Sequence, residues 1–84
     1  MEQEILIGFD ELNNKSFATF IDKEIGECIY EVDGNKWYIT HTFVNPDFGG
    51  RGIAKQLVLR VVEEANKRDI KVIPICSYAQ KVLG

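Results

Sequence analysis

The sequence predicts an α/β fold of the mixed α+β kind, with antiparallel strands first, then a strand-helix-strand unit and a short closing helix. Three observations predict it. Up to Val44, short runs rich in β-branched and aromatic residues alternate with turn residues. From Ile53, apolar residues recur every four positions, the period of a helix with one buried face. A further short apolar run, Lys71 to Ile75, follows that helix.

Taken in order, Glu4 to Phe9 reads as a first strand, and Ser16 to Ile21 and Glu27 to Val32 as a hairpin whose loop is Asp22 to Gly26. Asp33-Gly34-Asn35 is a turn, because Gly and Asn tolerate positive φ. Lys36 to Val44 is the longest strand. Strict alternation along it puts Trp37, Ile39, His41 and Phe43 on one face and Tyr38, Thr40, Thr42 and Val44 on the other. Asn45 to Gly52, with Pro46 and three glycines, breaks the strand. Ile53, Leu57, Val61 and Ala65, flanked by Ala54, Val58 and Val62, form the buried stripe of the helix. Lys55, Gln56, Arg60, Glu63, Glu64 and Lys67 take its solvent side. Asn66 to Asp69 turns the chain into Lys71–Ile75, and Ser77 to Leu83 closes it as one or two helical turns. The crossover makes the two strands around the helix parallel, so their carboxyl ends, and with them the glycine loop and Cys76, emerge at one edge. Ligands of α/β sheets bind at that edge.

At 84 residues and 45% hydrophobic, the chain 1–84 is expected to form one domain. A net charge of −3 argues against a general grip on nucleic acid or anionic lipid. The charge is uneven: residues 1–50 carry −7 and residues 51–84 carry +4, which favours an anionic ligand in the second part. Cys28 and Cys76 lie far apart in sequence and His41 is the single histidine, so no closed zinc site is expected. The start, Met1-Glu2-Gln3-Glu4, is acidic, and no apolar run approaches the roughly 18 residues that suggest a membrane span. A cytoplasmic protein with reduced thiols, monomeric or weakly dimeric, is the expectation.

Gly49-Gly50-Arg51-Gly52-Ile53-Ala54 combines absent side chains, a helix start with unpaired amides and one guanidinium. Phosphate oxygens suit that combination. A tight turn before a helix leaves the same trace, so the glycines alone decide nothing. Two familiar phosphate motifs fail. A Walker loop needs Ser or Thr where Gln56 follows Ala54-Lys55, and a dinucleotide fingerprint needs a glycine where Lys55 stands.

Val44-Asn45-Pro46 followed by Gly50-Arg51-Gly52-Ile53-Ala54, after a strand and opening an amphipathic helix, resembles the acetyl-coenzyme A motif of the GNAT N-acetyltransferase superfamily. With His41-Thr42 before it and Pro74-x-Cys76-x-Tyr78 after the next strand, the chain is similar to a small GNAT branch over roughly residues 16 to 83. The resemblance implies a minimal GNAT-like mixed sheet and binding of acetyl-CoA. Gly49, Gly50, Arg51, Gly52, Ile53, Ala54 and Lys55 would hold its pyrophosphate. Phe43 and Val44 would pair their backbone with the pantetheine arm. The superfamily usually carries Arg or Gln where Gly49 stands, which predicts weaker affinity.

The resemblance further implies acyl transfer to an unidentified amine, on a small molecule or a protein. Cys76, at a strand-to-helix junction where free amides favour thiolate, is the candidate acyl acceptor. A small buried side chain is its alternative role. His41 is the candidate general base, against an ordinary hydrogen-bonding role in the sheet. Thr42 reads as a β-branched strand residue, and Tyr78 as a packing aromatic. Two other functions stay open: a non-catalytic (acyl-)CoA-binding module, and a protein-interaction domain with a structural glycine turn.

Overall fold

The computed structural model describes residues 4–84; the acidic start at residues 1–3 lies outside the described residues. Strands β1 (Leu6–Asp10), β2 (Lys15–Phe20), β3 (Lys23–Asp33) and β4 (Lys36–Val44) run consecutively. A 3-10 turn, Pro46–Phe48, precedes helix α1 (Ile53–Lys67); β5 (Lys71–Pro74) and α2 (Ser77–Leu83) follow. The five strands form one sheet in chain order, antiparallel from β1 to β4, with β5 parallel to β4. The expected mixed architecture is the one observed, and β4 and α2 have the expected bounds.

Two strand features depart from the sequence reading. The loop expected at Asp22–Gly26 is a tight reversal at Ile21 and Asp22, both at positive φ (50° and 62°), and β3 starts at Lys23. A β-branched residue rarely adopts that conformation, so Ile21 gives no turn signal. The register then shifts between Ala18 and Thr19, where β3 carries Ile25 as an extra residue.

The second departure moves side chains between faces. Tyr30 pairs with Ile39 and Ile29 with His41, so Thr40 is an extra residue bulged out of the ladder. A bulge resets the alternation. Trp37 and Ile39 therefore share the core face with Thr42, opposite buried Cys28, while His41 and Phe43 turn to the exposed face. The expectation that His41 and Phe43 lie on the face of Trp37 is thereby corrected.

Helix α1 buries Ile53, Leu57, Val58, Val61 and Ala65 against one sheet face, where Ser16 donates through Oγ to the Leu57 carbonyl at 2.8 Å. Phe9, Tyr30 and Trp37 stack beside it, and Ala79 of α2 completes the core. Glu64, expected on the solvent side, is buried. Arg60 and Arg68 donate to its carboxylate at 3.0 and 2.9 Å and hold its pKa down at about 2. Neutralising a carboxylate on both sides is what permits its burial.

Candidate functional site

Beside the strand-to-helix crossover the sheet opens. Ladder pairing between β4 and β5 runs from Lys36 with Lys71 to Ile39 with Pro74, and there it stops, although β4 continues to Val44. Pro74 has no amide hydrogen to extend it. The next two amides, Ile75 and Cys76, both donate to the Ile39 carbonyl at 2.9 and 3.0 Å, which turns the chain away into α2. On the other side β4 remains tied to β3: the Phe43 carbonyl lies 3.0 Å from where a Gly26 Cβ would stand, and the Asn45 amide donates to Ile25 at 2.7 Å. Backbone groups alternate along a strand, so Thr42 and Val44 present theirs to the opened side.

The loop after β4 builds one wall of this opening. Asn45 accepts the Asp47 amide at 2.9 Å and so fixes the 3-10 turn. Phe48 then packs on Phe20 at 5.2 Å, with the Arg51 guanidinium 5.4 Å above its ring. Gly50 and Gly52 adopt φ of 77° and 74°, left-handed conformations that favour glycine, and Gly52 caps α1 without a side chain. A hydroxyl or carboxylate cap would have claimed the first amides. Among the described residues, no hydrogen bond takes the N–H groups of Gly50, Arg51, Gly52, Ile53, Ala54 or Lys55. A cavity of about 290 Å³ lies there, lined among others by Val44, Phe48, Gly50, Gly52, Ala54 and Tyr78. Six free donors at a helix start are suited to an anion.

Cys76 is the N-cap of α2, its sulfur accepting the Ala79 amide at 3.3 Å and lying 3.4 Å from the Thr42 hydroxyl. Thr42 Oγ1 also donates to the Cys28 sulfur at 3.6 Å. Both cysteines are free thiols; burial pushes Cys28 up to about 11. His41 is exposed on the other side of the sheet, across from Ile29, and its side chain makes no hydrogen bond among the described residues. The structure thus brings Cys76 together with Thr42 and Cys28, and sets His41 apart. Val44 and the glycine loop line one cavity, whereas the Phe43 side chain is half exposed on the face of His41.

Sequence reasoning gave Thr42 no more than a strand role and passed over Phe48. An aromatic inside a glycine loop was a usable signal for Phe48. For Thr42 no signal existed, because its meeting with both sulfurs depends on the bulge two residues before it.

A mixed sheet that opens beside an amide-lined helix start makes this molecule an α/β protein with a cleft at its strand ends, whose free donors are suited to an anion. The family described as GCN5-related N-acetyl-transferase matches residues 16–84, and the chain belongs to it. A GCN5-like protein from Staphylococcus aureus solved by NMR is 35% identical, with a TM-score of 0.67 over 95% of this chain and 76% of that one. A GCN5-related N-acetyltransferase from Sphaerobacter thermophilus is 25% identical, with a TM-score of 0.65 over 71% of this chain. A Clostridium acetobutylicum protein solved with acetyl-CoA shares the fold at 24% identity and a TM-score of 0.63, over 81% of this chain. The chain spans a fifth of the Sphaerobacter protein and about half, 52%, of the Clostridium one. A search of curated protein sequences gave no match.

Proposed function

We propose that the protein is an acetyl-CoA-dependent N-acetyltransferase that passes an acetyl group to an amine. The observation that carries this reading is the row of six free amides, Gly50 to Lys55, along a cavity between β4 and the start of α1. The residues fit the group: a pyrophosphate needs donors without side chains in front of them, and Gly50 and Gly52 have open space where a Cβ would be. Arg51 and Lys55 add positive charge there. Gly49 contributes close backbone approach, and Ile53 and Ala54 contribute first-turn amides. Val44, with Phe43 before it, offers the strand edge to an extended amide-bearing arm.

Acetyl-CoA supplies an acyl group activated as a thioester. The Cys76 sulfur, as thiolate, takes that acetyl group and forms a new thioester, and the departing thiolate picks up a proton. An acceptor amine then attacks the Cys76 thioester and frees the sulfur as thiolate, and the proton that the amine must lose goes to solvent, because His41 lies on the other face of the sheet. Both thiols are free, which suits a reducing compartment, and we assign the protein to the cytoplasm.

Isothermal calorimetry with acetyl-CoA on wild type and Gly52→Glu tests the reading. Binding is expected for wild type and none for the variant, whose carboxylate would sit among the amides that receive phosphate. Equal binding by both proteins, or none by wild type, sinks it.

A further inference from the structure

Thr42 stands where two sulfurs and the opened strand edge meet. Its hydroxyl lies 3.6 Å from the Cys28 sulfur, to which it donates, and 3.4 Å from that of Cys76. A hydroxyl has one hydrogen and two lone pairs, so it serves one sulfur as donor and the other as acceptor. With Cys76 protonated, its S–H donates to Thr42 and the Thr42 hydrogen goes to Cys28. A Cys76 thiolate has no hydrogen to give.

We propose that Thr42 is a positioning residue for Cys76: its hydroxyl turns to donate to the Cys76 sulfur once that sulfur has lost its proton, while the Cys28 S–H becomes the donor to Thr42. The thiolate then accepts two hydrogen bonds, from Thr42 and from the Ala79 amide at 3.3 Å. Cys28 suits its part because it is fully buried and burial holds its proton well beyond neutral pH. The proton released by Cys76 goes to solvent, and the other hydrogens only change partner. Among the described residues no carboxylate, lysine, arginine or histidine is within hydrogen-bond or ion-pair reach of Cys76; the titratable group coupled to it is Cys28 of β3. Thr42 also presents its backbone to the edge of β4 that β5 leaves open, two residues before Val44, which lines the cavity. Its importance rests on the reading that Cys76 receives the acyl group.

Alkylation by iodoacetamide, followed by intact mass, tests the proposal without coenzyme A. Cys28 is fully buried, so a single adduct reports on Cys76. A hydrogen bond to a charged group predicts that Thr42→Val and Thr42→Ala each slow the reaction about tenfold at neutral pH. At a pH high enough to ionise the thiol in every variant, the rates should converge. Thr42→Ser, which keeps the hydroxyl, should stay within about twofold of wild type at both pH values. Unchanged neutral rates in Thr42→Val and Thr42→Ala, or a deficit that persists at high pH, overturn the proposal. Loss of acetyl-CoA binding by wild type would overturn the functional reading instead and leave this measurement standing.

Discussion

Glu64 shows how far one side chain departs from its position in a pattern. On a helical wheel it belongs with Arg60 and Lys67 on the wet side, yet its carboxylate is one-tenth exposed between Arg60 and Arg68. Arg68 comes from beyond the end of the helix and also reaches Glu11 at 3.2 Å, while its guanidinium lies 5.5 Å over Phe9. These hydrogen bonds lower the Glu64 pKa from 4.5 to about 2, so in the fold it stays charged where an unfolded chain would be protonated. A group depressed on folding stabilises fully above its unfolded pKa, and that contribution disappears as pH falls toward the folded value. Urea midpoints should therefore fall between about pH 4.5 and about pH 2, and Glu64→Gln should flatten this segment while being less stable near neutral pH. An unchanged slope in Glu64→Gln would assign acid sensitivity to other carboxylates.

At the level of elements, α1 holds the sheet together through its stripe, and Leu57 lies at the centre of that stripe with no exposed surface. Leu57→Ala should cost about 2–5 kcal/mol in urea unfolding, because the surrounding strands cannot close over the lost volume. A loss below about 1 kcal/mol would mean that the site collapses and that α1 is less tightly seated than its burial implies. This helix was legible because its period is local to the chain: Ile53, Leu57, Val61 and Ala65 declare it without reference to any other element. The glycine loop was equally legible, since missing side chains and a helix start adjoin in sequence. What the sequence hid were the two bulges. Whether Ile25 or Thr40 is paired depends on the strand opposite, and no residue type at either position announces an interruption. The face of His41 and Phe43 and the meeting of Thr42 with two thiols both follow from the Thr40 bulge, so the candidate site was readable in its loop and unreadable in its chemistry.

For the whole molecule, the opening between β4 and β5 has a thermodynamic consequence. Past Pro74, the C-terminal segment is attached through the shared Ile39 carbonyl, the Thr42 to Cys76 contact and the buried Ala79. A ligand that bridges the β4 edge and the start of α1 fills the gap that this geometry leaves, and it binds the folded chain alone. Such a ligand at one hundred times its Kd adds about 2.7 kcal/mol of stability. For a chain of this size, about 4–8 °C per kcal/mol makes that a rise in Tm of roughly 10–20 °C. Thermal melts against increasing acetyl-CoA should show the rise in wild type and none in Gly52→Glu. Hydrogen exchange should show new protection at Gly50 to Lys55, where amides that now lack partners would acquire them. A rise in Tm without protection of those amides would mean that the ligand binds elsewhere, and would detach the cleft from the stabilisation.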